Sequence, residues 1–167
     1  MLTTPKKINS FVKRFGDNLC NANESDFCFY KFKRIDEFQP LAGECFYNVA
    51  RMIKENGGGY VLGWMIWEDE THIEAEAHCL YKNENGKVMD ITPRVDEERE
   101  ILFLKDSNVH PKLSYVDGDT YKMTHKRWPM FYKMEGFSPY SEITFNFNKS
   151  EIEVIDLKNY HDSFLFK

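Results

Sequence analysis

Residues 73–86 constrain the fold of this chain more than any other stretch. Ile73, Ala75, Ala77, Cys79 and Tyr81 alternate with Glu74, Glu76, His78, Leu80 and Lys82, the period-two pattern of a strand whose two faces meet different surroundings. Asn83-Glu84-Asn85-Gly86 follows, a sequence suited to a tight hairpin turn, and the chain returns as Lys87–Thr92 until Pro93 stops it. Just upstream, Tyr60–Trp67 is apolar almost throughout except for Gly63, as in a strand buried on both faces. An antiparallel sheet is therefore expected, and it needs a cover. The clearest helix runs from about Cys45 to Asn56, with Phe46, Val49, Ala50 and Ile53 at helical spacing. Gly57-Gly58-Gly59 ends it. The expected class is α+β, one N-terminal helix packed on an antiparallel sheet.

Other segments are less sharply marked. Residues 27–33 read as a short strand, and 39–44 as a loop punctuated by Pro40 and Gly43. Asp96–Glu100 reads as the start of a short helix, and residues 109–121 show no sustained period. Ile143, Phe145 and Phe147 alternate with polar residues, which predicts a late strand paired with 151–157 across Asn148-Lys149-Ser150. Residues 123–137 interleave aromatic and basic side chains, a pattern that can stack bases but more often covers a small core.

A chain of 167 residues without repeats or linkers is expected to form a single domain over 1–167. Its 27 acidic residues outnumber 22 basic ones, which disfavours a nucleic-acid partner. No apolar run is long enough to span a bilayer, and residues 1–18 lack the apolar stretch of a signal peptide. The four cysteines, Cys20, Cys28, Cys45 and Cys79, form no Cys-x-x-Cys pair. They read as reduced thiols in a cytoplasmic protein, with neither a metal nor another cofactor expected.

One thiol stands apart by position. Cys45 opens the predicted helix, where free amide groups and the helix dipole favour a thiolate, the form that attacks carbonyl carbon. A lone cysteine more often simply packs, so its companions matter. His78 lies mid-strand, and Asp90 lies on the returning strand. If paired residue numbers across the hairpin sum to 170, His78 opposes Thr92 and sits diagonal to Asp90 on one face. A sum of 168 makes them directly opposite, and an odd sum separates them. A carboxylate on an imidazole nitrogen fixes the tautomer and steadies the imidazolium, although an ordinary surface pair is the plainer alternative. Gln39 precedes Cys45 by six residues, where a side-chain amide can donate to an oxyanion, although taken alone a surface glutamine is the plainer alternative. His78 and Cys79 point to opposite faces, which argues against a shared zinc ion, and Glu74 with Glu76 read as a solvated edge.

Cys45-Phe46-Tyr47-Asn48-Val49, Tyr60-Val61-Leu62-Gly63-Trp64, Glu76-Ala77-His78 and Gly86-Lys87-Val88-Met89-Asp90-Ile91-Thr92-Pro93 together resemble the papain-like thiol hydrolase superfold. Within it they are most similar to the transglutaminase-like group and to small phage and bacterial proteins. The likeness spans residues 39–93. Leu80 stands where the family often has an aromatic residue, and Ile91 where it often has proline. The resemblance implies nucleophile Cys45, base His78, orienting residue Asp90 and, by the papain-type spacing, oxyanion donor Gln39. The function it implies is a cysteine hydrolase or acyltransferase working on an amide or ester of a protein or peptide through a thioester. The alternative is a non-catalytic protein-binding module on the same fold.

Overall fold

In the computed structural model the described residues are 1–109, 112–117, 120–126, 129–138 and 142–148, with side chains described for 1–109 and 129–138. The fold is α+β, two helices packed on an antiparallel sheet. Helix α1 (Ser10–Cys20) begins at Asn9, whose side chain accepts the Phe11 and Val12 amides at 2.9 and 3.0 Å. It ends at Asn21, which takes the left-handed conformation and returns its N–H to Asp17 O at 2.8 Å. Helix α2 (Cys45–Asn56) coincides with the predicted helix and closes with the Gly57 N–H on Ile53 O.

The main sheet holds β1 (Phe27–Lys31), β2 (Gly59–Glu68), β3 (His72–Lys82), β4 (Val88–Met89), β5 (Glu100–Lys105), β8 (Met130–Tyr132) and β9 (Gly136–Ser138). Its order is β1-β5-β2-β3-β8-β9, with β4 also on β3. A second sheet joins β6 (Lys112–Asp117), β7 (Thr120–Lys126) and β10 (Glu142–Asn148) in the order β10-β7-β6. Strand β10 is the predicted late strand; its proposed partner at 151–157 lies outside the described residues.

The hairpin fixes the register. Asn83 N–H donates to Lys87 O, the Asn83 side chain accepts the Lys87 amide, and Gly86 turns the chain at a φ of 80°. Tyr81 faces Met89 and Lys82 faces Val88, so paired numbers sum to 170. The returning strand is shorter than expected. The Asp90 carboxylate takes the Thr92 amide at 3.1 Å and its carbonyl takes Lys33 N–H at 2.7 Å, so residues 90–92 leave the ladder for a local turn. The helix expected at 96–100 does not form either. Asp96 caps the Glu98 amide at 3.2 Å, Glu97 sits at a φ of 66°, and Glu100 already belongs to β5.

Two apolar clusters sandwich the sheet. Val12 and Phe15 of α1 and Val49, Ala50 and Met52 of α2 pack with Leu62, Trp64, Ile66, Ile73, Ala75 and Cys79 on one face. Met65, Leu80, Ile101 and Phe103 fill the other. On β3, β4 pairs at residues 81–82 and β8 at 72–74, so the stretch between them carries no ladder partner on that edge among the described residues. The start of α2 comes to this gap.

Gly63 is the tightest point of the sheet. It pairs with His78, and a Cβ there would stand 2.2 Å from Leu104 O and 2.5 Å from Cζ of Phe103. The missing side chain is the space that the Phe103 ring fills, edge-on to His78 at 6.3 Å between ring centroids. Gly63→Ala is expected to cost about 1–3 kcal/mol through overpacking, measured by denaturant unfolding. Unchanged stability would mean that the strands separate at that point without strain.

Candidate active site

Helix α2 brings Cys45 to the sheet because its inward stripe, Cys45, Asn48, Val49 and Met52, is buried. Asn48 is the polar member of that stripe, and its side chain ties three segments together. Its Oδ1 accepts the Leu41 amide at 2.8 Å, and its Nδ2 donates to Leu41 O at 2.8 Å and to Thr92 Oγ1 at 3.1 Å. Gly43 N–H adds a bond to Pro93 O at 3.0 Å. The loop before the helix and the loop after β4 are thus sewn to each other across Cys45.

His78 and Asp90 meet inside this frame. Nε2 of His78 lies 3.2 Å from Oδ1 of Asp90, and both residues are buried. An ionised carboxylate only accepts, so Nε2 carries the proton toward Asp90 and Nδ1 is the nitrogen left for Cys45. Cys45 is the other electrostatic partner of the imidazole, and the two line one cavity. Burial alone would lower the His78 pKa, but the charges of Cys45 and Asp90 and hydrogen bonds to both outweigh it and raise it from 6.5 to about 10. Cys79, on the opposite face, is pushed well above the usual thiol range by burial and by the negative charges of Cys45 and Asp90. It stays a thiol.

The amides of Cys45, Phe46 and Tyr47 precede the first intrahelical bond, Asn48 N–H to Glu44 O at 2.9 Å, and no capping side chain reaches them. Their N–H groups are therefore left open at the helix start. Gln39 is not brought to this place. It stands exposed in the loop before α2, its carbonyl accepting Arg51 Nη1 at 3.2 Å, and it is absent from the residues that line the cavity at Cys45. The six-residue spacing is present, but among the described residues the Gln39 side chain makes no hydrogen bond.

That cavity, about 70 Å³, is walled by Met65, Trp67, Glu76, His78, Thr92 and Arg94, among others. The Arg94 guanidinium stacks on Trp67 at 3.5 Å from the ring centroid and chelates Asp96, Nε to Oδ1 at 2.8 Å and Nη2 to Oδ2 at 2.5 Å. Asn48 and Arg94 were not singled out from the sequence, Thr92 entered only as the residue opposite His78, and Glu76, read there as part of a solvated edge, is half-buried in the cavity wall. Asn48 carried a signal, since it falls on the buried stripe three residues after Cys45; Arg94 carried none. Among the described residues no group of three His, Cys, Asp or Glu side chains is placed to hold a metal ion. No protein-family model, curated protein or solved structure matches the chain.

A raised folded-state pKa means that His78 contributes its stabilisation fully below pH 6.5 and loses it as pH rises through about 10. The His78 ring is therefore expected to remain an imidazolium from pH 6 to 8 in an NMR titration. Cys45→Ala and Asp90→Asn each remove a negative neighbour and should move its titration downward. A parent His78 that titrates near 6.5 would rule out the charged pair.

Proposed function

We propose that the protein is a cysteine-dependent hydrolase or acyltransferase that cleaves an amide or ester of a protein or peptide through a thioester at Cys45. One observation carries the reading: a buried imidazole held between a helix-start thiol and a buried carboxylate. That arrangement favours the thiolate–imidazolium form needed for attack. It also supports placing the chain in a papain-like, transglutaminase-like core, since helix, strand and hairpin supply the three groups in that order.

Chemistry follows from the atoms. The Cys45 sulfur bonds to the carbonyl carbon, and the carbonyl electron pair moves to oxygen, where the Cys45 amide at the helix start donates to it. As the tetrahedral carbon collapses, the bond to the leaving group breaks and Nδ1–H of His78 delivers its proton there. Water or an amine then attacks the thioester, gives its proton to Nδ1 and releases the Cys45 thiolate. Asp90 keeps Nε2–H engaged throughout, so the ring presents Nδ1 at every step. A cytoplasmic setting belongs to the same reading, because a nucleophilic thiol works only while reduced. The acidic charge balance supports a peptide partner over nucleic acid.

The test is alkylation by iodoacetamide, mapped by mass spectrometry at each cysteine. At pH 6 Cys45, although buried, is expected to react at least about tenfold faster than exposed Cys28. His78→Ala should abolish that advantage and Asp90→Asn should reduce it. Equal rates at Cys45 and Cys28 would leave a binding module on this fold. Gln39→Ala, by contrast, is expected to change neither the alkylation rate nor turnover of a reporter ester by more than about twofold, because the first-turn amides do the work proposed for it. A loss of about 10²-fold in turnover would restore Gln39 as the oxyanion donor.

A further inference from the structure

Glu76 lies two residues before His78 on the same face of β3 and opposite Met65, and it lines the cavity at Cys45. It is half-buried. No described residue hydrogen-bonds to its carboxylate or forms an ion pair with it. The other charged groups of this wall are accounted for. His78 stands between Cys45 and Asp90, and Arg94 is chelated by Asp96 with Glu98 at 3.7 Å behind it. Glu74, the neighbour on the same face, has His72 at 3.7 Å. With Cys45 a thiolate, as the hydrolase reading has it, Cys45 and Asp90 share one imidazolium and Arg94 is matched by Asp96, so the cavity gains no net positive charge to answer Glu76.

We propose that Glu76 recognises a primary ammonium group of the substrate, held beside the carbonyl that Cys45 attacks. This deepens the hydrolase reading and rests on it. A carboxylate that has lost part of its hydration without gaining a partner is costly to keep charged, and burial indeed pushes Glu76 up, with His78 and Arg94 pulling it back. An incoming cation removes that cost on binding. Ammonium suits the place better than guanidinium, because it is compact and the cavity is only about 70 Å³. A lysine side chain or a peptide amino terminus next to the scissile bond presents this group, and so does an amine that accepts the acyl group.

The test reads the cavity through Cys45 itself, without needing a substrate. Three methanethiosulfonates of graded charge, 2-aminoethyl, methyl and 2-sulfonatoethyl, are reacted with the full chain, and the rate at Cys45 is followed by peptide mass spectrometry. In the parent the aminoethyl reagent is expected to outrun the sulfonatoethyl reagent by at least about tenfold more than it does at exposed Cys28. Glu76→Gln should cut that preference about five- to tenfold and leave the methyl reagent unaffected, while Glu74→Gln should change it less than twofold. A preference that survives Glu76→Gln, or that falls equally in Glu74→Gln, overturns the assignment. A Cys45 that reacts with the methyl reagent no faster than Cys28 overturns the hydrolase reading instead, so the two failures are separable. The source of the ammonium is read by protection: lysine amide and glycine amide are compared with cadaverine for slowing the methyl reagent in parent and Glu76→Gln. Protection by any of them that disappears in Glu76→Gln supports the subsite; protection equal in both chains counts against it.

Discussion

A charged imidazole and a carboxylate buried side by side are stable only when every remaining polar atom around them has a partner. Around His78 and Asp90 that requirement organises much of the molecule. The Asp90 carboxylate oxygen that faces His78 also takes the Thr92 amide. The Thr92 hydroxyl is held by Asn48, and Asn48 is held in turn by both backbone groups of Leu41. Remove Asn48 and the loop entering α2 keeps only the Gly43 N–H bond to Pro93 O as its described link to the loop leaving β4. The position of Cys45 depends on that anchor, because no side chain caps the start of α2. What fixes the helix start in place is this cross-link and not a local cap.

The apolar side of the site is set by an absence. With no side chain at Gly63, the Phe103 ring lies across its position and meets the imidazole edge-on. Met65 and Trp67 continue the wall along β2, and Arg94 covers Trp67. Water is kept from one side of the imidazole by rings, while charge reaches it from the other side through Cys45 and Asp90. A low-dielectric wall strengthens both electrostatic contacts.

Local signals in the sequence are enough for α2 and for β2 and β3, because each rests on a period or a turn read within a dozen residues. The hairpin register is left open by the sequence between sums of 170, 168 and an odd number; the structure sets it at 170, and Asp90, which leaves the ladder there, still meets His78. Helix α1 is not among the expected elements although Asn9 is a good cap and Phe11, Val12, Phe15 and Leu19 lie at helical spacing; Lys13, Arg14 and Asp17 interrupt the apolar pattern. Residues 90–100 were misjudged for a different reason. Asp90 and Asp96 each capture an amide two residues on, and side-chain capture of this kind ends a strand or pre-empts a helix without changing its apolar pattern. Gln39 shows the limit of spacing arguments: six residues can bring a side chain to a site or past it, and the loop conformation decides which.

Core and site draw on the same alternation. The residues of β3 that anchor both helices, Ile73, Ala75 and Cys79, are odd-numbered, while Glu76 and His78 face the other way. Cys45 belongs to the helix-side cluster yet reaches His78, because the edge of β3 is open between the partners at 72–74 and 81–82. A one-residue slip in the hairpin would therefore do two things at once. It would turn Glu74, Glu76 and His78 into the helix-packed core and carry the imidazole away from both Cys45 and Asp90. Burial of charge opposes that slip alongside loss of apolar contact, so the polar groups of the site help to hold the register that creates it.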